Sequence, residues 1–138
     1  KTHFVNRLFG RVDTRYVQTL GVEVHAYEHY YLWDTAGDKN FGGLRDGYYV
    51  HRDSFLAFCS LSSLKSIEKL PFWIASCGNV KFSKNGEVVP FKIVVNTQNP
   101  TEEATQALQQ FKNRYPTFTF VEMDIDRCSR DSIVNVLA

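Results

Sequence analysis

The sequence has few cysteines, no long apolar run and no excess of either charge. Its three thiols, Cys59, Cys77 and Cys128, lie far apart and never in a Cys-x-x-Cys spacing. That excludes a disulfide-stapled scaffold and a zinc-ribbon pattern, and it suits reduced thiols of the cytosol or nucleus. Basic and acidic residues are interspersed and leave a net charge of +1. No nucleic-acid partner is therefore expected, and any partner would be selected by shape. No stretch approaches the length of a membrane span, no signal peptide is visible, and Asn135-Val136-Leu137-Ala138 is no prenylation box, so no membrane anchor is expected. What remains is the composition of an ordinary globular chain, 43% hydrophobic and 22% charged over 138 residues, which predicts a single domain over 1–138.

The most informative stretch runs from Tyr30 to Tyr49. Tyr30 to Trp33 are strand formers, and they lead into Asp34-Thr35-Ala36-Gly37 and a glycine-rich loop. An acidic residue at the end of a buried strand can hold a metal through water. A glycine three residues later lets a backbone N–H approach a phosphate with no side chain in the way.

Before this stretch, Phe4, Val5, Leu8 and Phe9 fit one face of a helix closed by Gly10. Arg11 to Arg15 form a polar connection. His25-Ala26-Tyr27-Glu28-His29 spells the H-x-x-E-H of a zinc-peptidase helix, yet Val22, Val24, Tyr27, Tyr30 and Tyr31 around it favour a strand–turn–strand. After it, Ser54 to Cys59 reads as a strand buried on both faces, with Cys59 in the core. Ser62 to Cys77 reads as a helix capped by Ser62 or Ser63 and broken or kinked at Pro71, with Pro71 to Ala75 as a core face. Lys84 to Glu87 is a turn, and Phe91 to Val95 a strand ending at Asn96. Thr101 caps an amphipathic helix to Tyr115, Phe118 to Met123 is the last strand, and Asp131 to Leu137 starts a closing helix. Alternating strands and helices predict an α/β fold with a mostly parallel sheet and helices on both faces.

Two longer strings carry a resemblance. Asp34-Thr35-Ala36-Gly37 is similar to the switch II motif of Ras-superfamily GTPases, and Phe41-Gly42-Gly43-Leu44-Arg45-Asp46-Gly47-Tyr48-Tyr49 resembles the Ran branch, the GTPases of nuclear transport. Tyr16-Val17-Gln18-Thr19-Leu20-Gly21-Val22-Glu23-Val24-His25 resembles the switch I and second strand of that branch. The resemblance implies a three-layer P-loop small-GTPase-like fold. Of the motif G-x-x-x-x-G-K-[ST] only Lys1-Thr2 is present, so the expected fold lacks the first strand and the phosphate loop and has a shortened last helix.

The resemblance also assigns roles. Lys1 would reach the β/γ oxygens of GTP or GDP, Thr2 and Thr19 would bind Mg²⁺, Asp34 would hold it through water, and Gly37 would meet the γ-phosphate. For Thr19 the plain alternative is a β-branched residue entering a strand. Leu20, Val22, Phe41, Leu44, Arg45 and Tyr48 would face protein partners, namely nuclear transport receptors or Ran regulators, in the nucleus and cytoplasm. Three places depart from the family pattern. The guanine motif N-K-x-D reads Asn96-Thr97-Gln98-Asn99, and Asn99 turns a donor where the family's Asp accepts two hydrogen bonds from guanine. That mismatch costs about 1–3 kcal/mol, roughly ten- to hundred-fold in affinity. At the catalytic position, where the family's Gln orients the attacking water, stands Asp38, a carboxylate that repels the γ-phosphate, so hydrolysis should be slow. The base-supporting S-A-K motif aligns with Asp126-Arg127-Cys128 and does not match, which favours a solvated loop there. Two functions follow: a nucleotide-gated switch, or a pseudo-GTPase that keeps the partner surfaces without nucleotide turnover.

Overall fold

The computed structural model describes residues 1–10, 22–28, 30–35, 54–78 and 91–137. They form two compact units. The first holds helix α1 (Thr2–Leu8), strands β1 (Val22–Tyr27) and β2 (Tyr30–Thr35), and helix α5 (Arg130–Val136). The second holds β3 (Phe55–Ser60), α2 (Leu64–Glu68), α3 (Leu70–Gly78), β4 (Phe91–Asn96), α4 (Glu102–Arg114) and β5 (Thr119–Met123).

In the first unit, the expected apolar face of α1 is buried through Phe4, Val5 and Leu8, and the helix ends where Gly10 takes a left-handed φ of 69°. A side chain there would be strained, so glycine closes the helix at low cost. Helix α1 packs on α5, whose Ile133 and Val136 are buried. Two guanidinium contacts fasten the pair: Arg130 Nε donates to the Leu8 carbonyl at 2.9 Å, and Arg7 donates to the Cys128 carbonyl. The first satisfies a carbonyl at the C-terminal end of α1, where the helix supplies no further N–H, and the second ties α1 to the residue that leads into α5.

Strands β1 and β2 form an antiparallel ribbon in the expected strand–turn–strand, with Glu23 opposite Asp34, Val24 opposite Trp33 and Tyr27 opposite Tyr30. Glu28 makes the turn at φ 51°, so the H-x-x-E-H string is not helical. Phe9 lays its ring against His25 and edge-on to Tyr27, which ties α1 to one face of the ribbon. The other face carries Val24, Tyr31 and Trp33, all more than half exposed. β2 is therefore covered on one side only, where the sequence suggested a buried strand.

The second unit is a parallel sheet in the order β3-β4-β5, which confirms the α/β expectation. Ile93, Val94 and Val95 of β4 are all fully buried, so this strand is apolar on both faces, as a central parallel strand requires. On one face, Ile93 and Val95 join Ala57, Cys59, Ile67, Leu70, Leu108 and Phe111 in a continuous core. β3 is only half-buried at Leu56 and Phe58, so its burial is less complete than its apolar run implies.

Ser63, one of the two expected caps, accepts from Ser66 N at the start of α2. The break falls at Lys69, and Pro71 is the second residue of α3, where a missing N–H costs nothing. The expected core face over Pro71–Ala75 is corrected. Leu70 is fully buried and Ile74 packs on the core, whereas Pro71, Phe72 and Ala75 are exposed. Thr101 caps α4 as expected, accepting from Ala104 N at 3.2 Å. Lys84–Glu87 lies outside the described residues. No helix among them is long and apolar enough to cross a membrane.

Candidate functional site

The first unit brings together part of the set the resemblance predicted. β2 continues through Thr35, so Asp34 sits on the last rungs of the ladder and its carboxylate is held by paired backbone. Period-two alternation turns Asp34 toward the face that also carries Glu23, His25 and Tyr27, and away from the face of Val24 and Trp33. Asp34 is 4% exposed, the one buried charged side chain among the described residues.

Lys1 precedes α1 as its N-cap, and Thr2 is the first helical residue. Lys1 is exposed as a residue, yet loss of water around its ammonium lowers its pKa, and attraction to Asp34 opposes that shift. The charge of the buried carboxylate is thus felt at the cation that precedes the opening turn of α1. An ammonium suits phosphate oxygens as a point charge, and a buried carboxylate suits a hard divalent ion.

The second unit holds the positions that the resemblance aligned with the guanine motif. Asn96 closes β4 and gathers three loops at the carboxyl ends of the strands. Its backbone carbonyl accepts from Leu61 N after β3 at 3.0 Å. Its Oδ1 accepts from Gln98 N in its own loop and from Ile125 N after β5, both at 3.3 Å. The side chain is therefore already used in holding the loops and orienting what they carry. Asn99 is exposed and left-handed at φ 47°, a conformation Asn tolerates better than most residues. Asp126 and Arg127 are exposed in a turn where Asp124 Oδ1 accepts from both backbone N–H groups, which agrees with the expected solvated loop.

Of the remaining predicted residues, Val22 opens β1. Thr19, Leu20, Gly37, Asp38, Phe41, Leu44, Arg45 and Tyr48 lie outside the described residues. Sequence reasoning missed Glu23 and His25 as neighbours of Asp34. The signal was there in the i, i+2 spacing of Glu23 and His25 on a strand, but the facing rung depends on the register.

The family model described as Ras family matches residues 2–125 of this chain, a span that includes Thr2, Asp34, Asn96 and Asn99.

Proposed function

The chain belongs to the Ras family, the small GTPase-like nucleotide-binding switches, and from that membership we propose that it is a Ran-type, nucleotide-gated switch of nucleocytoplasmic transport. The observation that carries the reading is the attraction between Lys1, which precedes α1 as its N-cap, and the buried Asp34. Membership in the family implies GTP or GDP with Mg²⁺, and the donors present fit that pair. The buried Asp34 carboxylate is an oxygen ligand of the kind a small hard cation takes, and the Lys1 ammonium it attracts suits phosphate. Thr2 and Asp34 would hold the ion, together with Thr19. Bound Mg²⁺ neutralises phosphate charge and fixes the position of the γ-phosphate.

The chain's own residues determine the rest. Lys1 draws the phosphates toward the start of α1. Asn96 fixes the loops that follow β3, β4 and β5, and thereby sets where Asn99 presents its amide. Asn99 meets the guanine edge with one acceptor and one donor, so guanine is held less tightly than by the family's Asp. Asp38 brings a carboxylate to the place of the water-orienting amide, so hydrolysis is slow. Leu20, Val22, Phe41, Leu44, Arg45 and Tyr48 would form the surface read by nuclear transport receptors or Ran regulators, in the nucleus and cytoplasm.

The substitution at Asn99 favours one second reading, a pseudo-GTPase that binds the same partners without nucleotide turnover. Titration of the purified chain with fluorescent GTP, XTP and ATP in Mg²⁺ separates the two. The switch reading expects micromolar or tighter GTP binding and receptor capture that depends on it. Receptor capture indifferent to nucleotide would refute the switch.

A further inference from the structure

The ribbon sets two further donors, Glu23 and His25, around the Asp34 carboxylate already given to Mg²⁺. We propose that Glu23, His25 and Asp34 form a binding site for a divalent first-row transition ion such as Zn²⁺ or Co²⁺. Alternation on β1 puts Glu23 and His25 on one face, and the register sets Asp34 directly opposite Glu23. One ligand atom from each of the three residues lies within 4.8 Å of the others.

The second observation is the imidazole itself. Nε2 of His25 is buried and makes no hydrogen bond, and its nearest acid, Glu23 Oε2, stands 3.5 Å away. A buried nitrogen that makes no hydrogen bond is unfavourable, and a metal ion taking its lone pair satisfies it. The Phe9 ring, 5.8 Å from the imidazole, packs against it and restricts its rotation.

The donor types select the ion. Mg²⁺ and Ca²⁺ prefer oxygen ligands throughout, whereas one imidazole nitrogen with two carboxylate oxygens suits Zn²⁺, Co²⁺ or Mn²⁺. Ligand bonds of about 2.0–2.2 Å set tetrahedral ligand-to-ligand spacings of about 3.3–3.6 Å. The Glu23–His25 separation of 3.5 Å already meets this, and small side-chain rotations close the remainder. Two carboxylates and a neutral imidazole balance a dication, and the opposing charge is the Lys1 ammonium near Asp34. Asp34 would then serve two ions in alternation, the transition ion without nucleotide and Mg²⁺ with it.

The test uses the full chain free of nucleotide, so its outcome does not depend on the switch reading. Co²⁺ is added and its visible absorption followed, with Zn²⁺ and Mg²⁺ as competitors. One equivalent of Co²⁺ should bind and be displaced by Zn²⁺, and an equal excess of Mg²⁺ should not displace it. His25→Ala and Glu23→Gln should each weaken Co²⁺ binding at least as much as loss of a residue supporting a ligand does, roughly 10–100-fold. Glu23 is exposed, so Glu23→Gln leaves the fold intact and decides the matter should His25→Ala unfold. Absence of saturable Co²⁺ binding, equal displacement by Mg²⁺, or unchanged affinity in Glu23→Gln would overturn the proposal.

Discussion

Replacing Asn96 by alanine tests whether one side chain holds the loops at the carboxyl ends of the parallel sheet. The substitution leaves the Leu61-to-Asn96 backbone bond in place and removes only Oδ1, so the N–H groups of Gln98 and Ile125 lose their acceptor. Each neutral hydrogen bond contributes about 0.5–1.5 kcal/mol net. Both bonds are 3.3 Å long. The usual length is about 2.9–3.0 Å, so the lower part of the energy range applies and the pair amounts to about 1–2 kcal/mol. With a urea m-value of about 2 kcal/mol/M, the midpoint should fall by roughly 0.5–1 M at unchanged slope. Asn96→Asp keeps an acceptor oxygen at the same place and should recover most of the loss. Equilibrium urea unfolding followed by circular dichroism gives both values. A midpoint for Asn96→Ala equal to that of the parent, or Asn96→Asp as weak as Asn96→Ala, would refute the reasoning.

Three further predictions are independent of that one. Thr101→Ala removes the α4 cap and the Oγ1 bond to the Leu61 carbonyl, so urea unfolding should show a loss of about 1–2 kcal/mol that Thr101→Ser largely restores. Asn99→Asp is compatible with the left-handed backbone and returns a second acceptor to the base edge, so GTP affinity should rise roughly ten- to hundred-fold in a fluorescence titration. Burial pushes the Cys59 thiol from its ordinary 9.0 up to about 12, with Lys112 lowering it and Glu122 raising it by smaller amounts. The unfolded chain therefore releases a proton at lower pH than the folded one. Stability from this group is complete below 9.0 and declines as pH rises toward about 12, so the fall in urea midpoint over that range should be smaller in Cys59→Ala than in the parent.

Local signals made much of the fold legible. Thr101 followed by two glutamates marked the start of α4, and the β-branched and aromatic residues around His25 outweighed a helical metal motif. The β-branched residues within Phe91–Val95 marked the strand β4. The run Pro71–Ala75 failed as a guide because five apolar residues in a row have no period. A new helix begins at Leu70 with Pro71 in its first turn, and the resulting phase turns Leu70 and Ile74 inward and Phe72 outward. The candidate site was legible where one residue type suffices, as at Asp34. It was not legible where the chemistry depends on pairing. Nothing in the order of residues says that Glu23 faces Asp34, or that Asn96 accepts a bond from Ile125, because both follow from which rung or loop comes opposite.

The strict alternation along β2 has a consequence for how this ribbon can vary among descendants. Trp33 and Asp34 are adjacent and face opposite ways, so gain or loss of one codon within the strand would carry the carboxylate out into water and the indole inward. Natural length changes should therefore cluster at the reverse turn around Glu28, where the backbone belongs to neither strand, or arrive in pairs that keep both faces in phase.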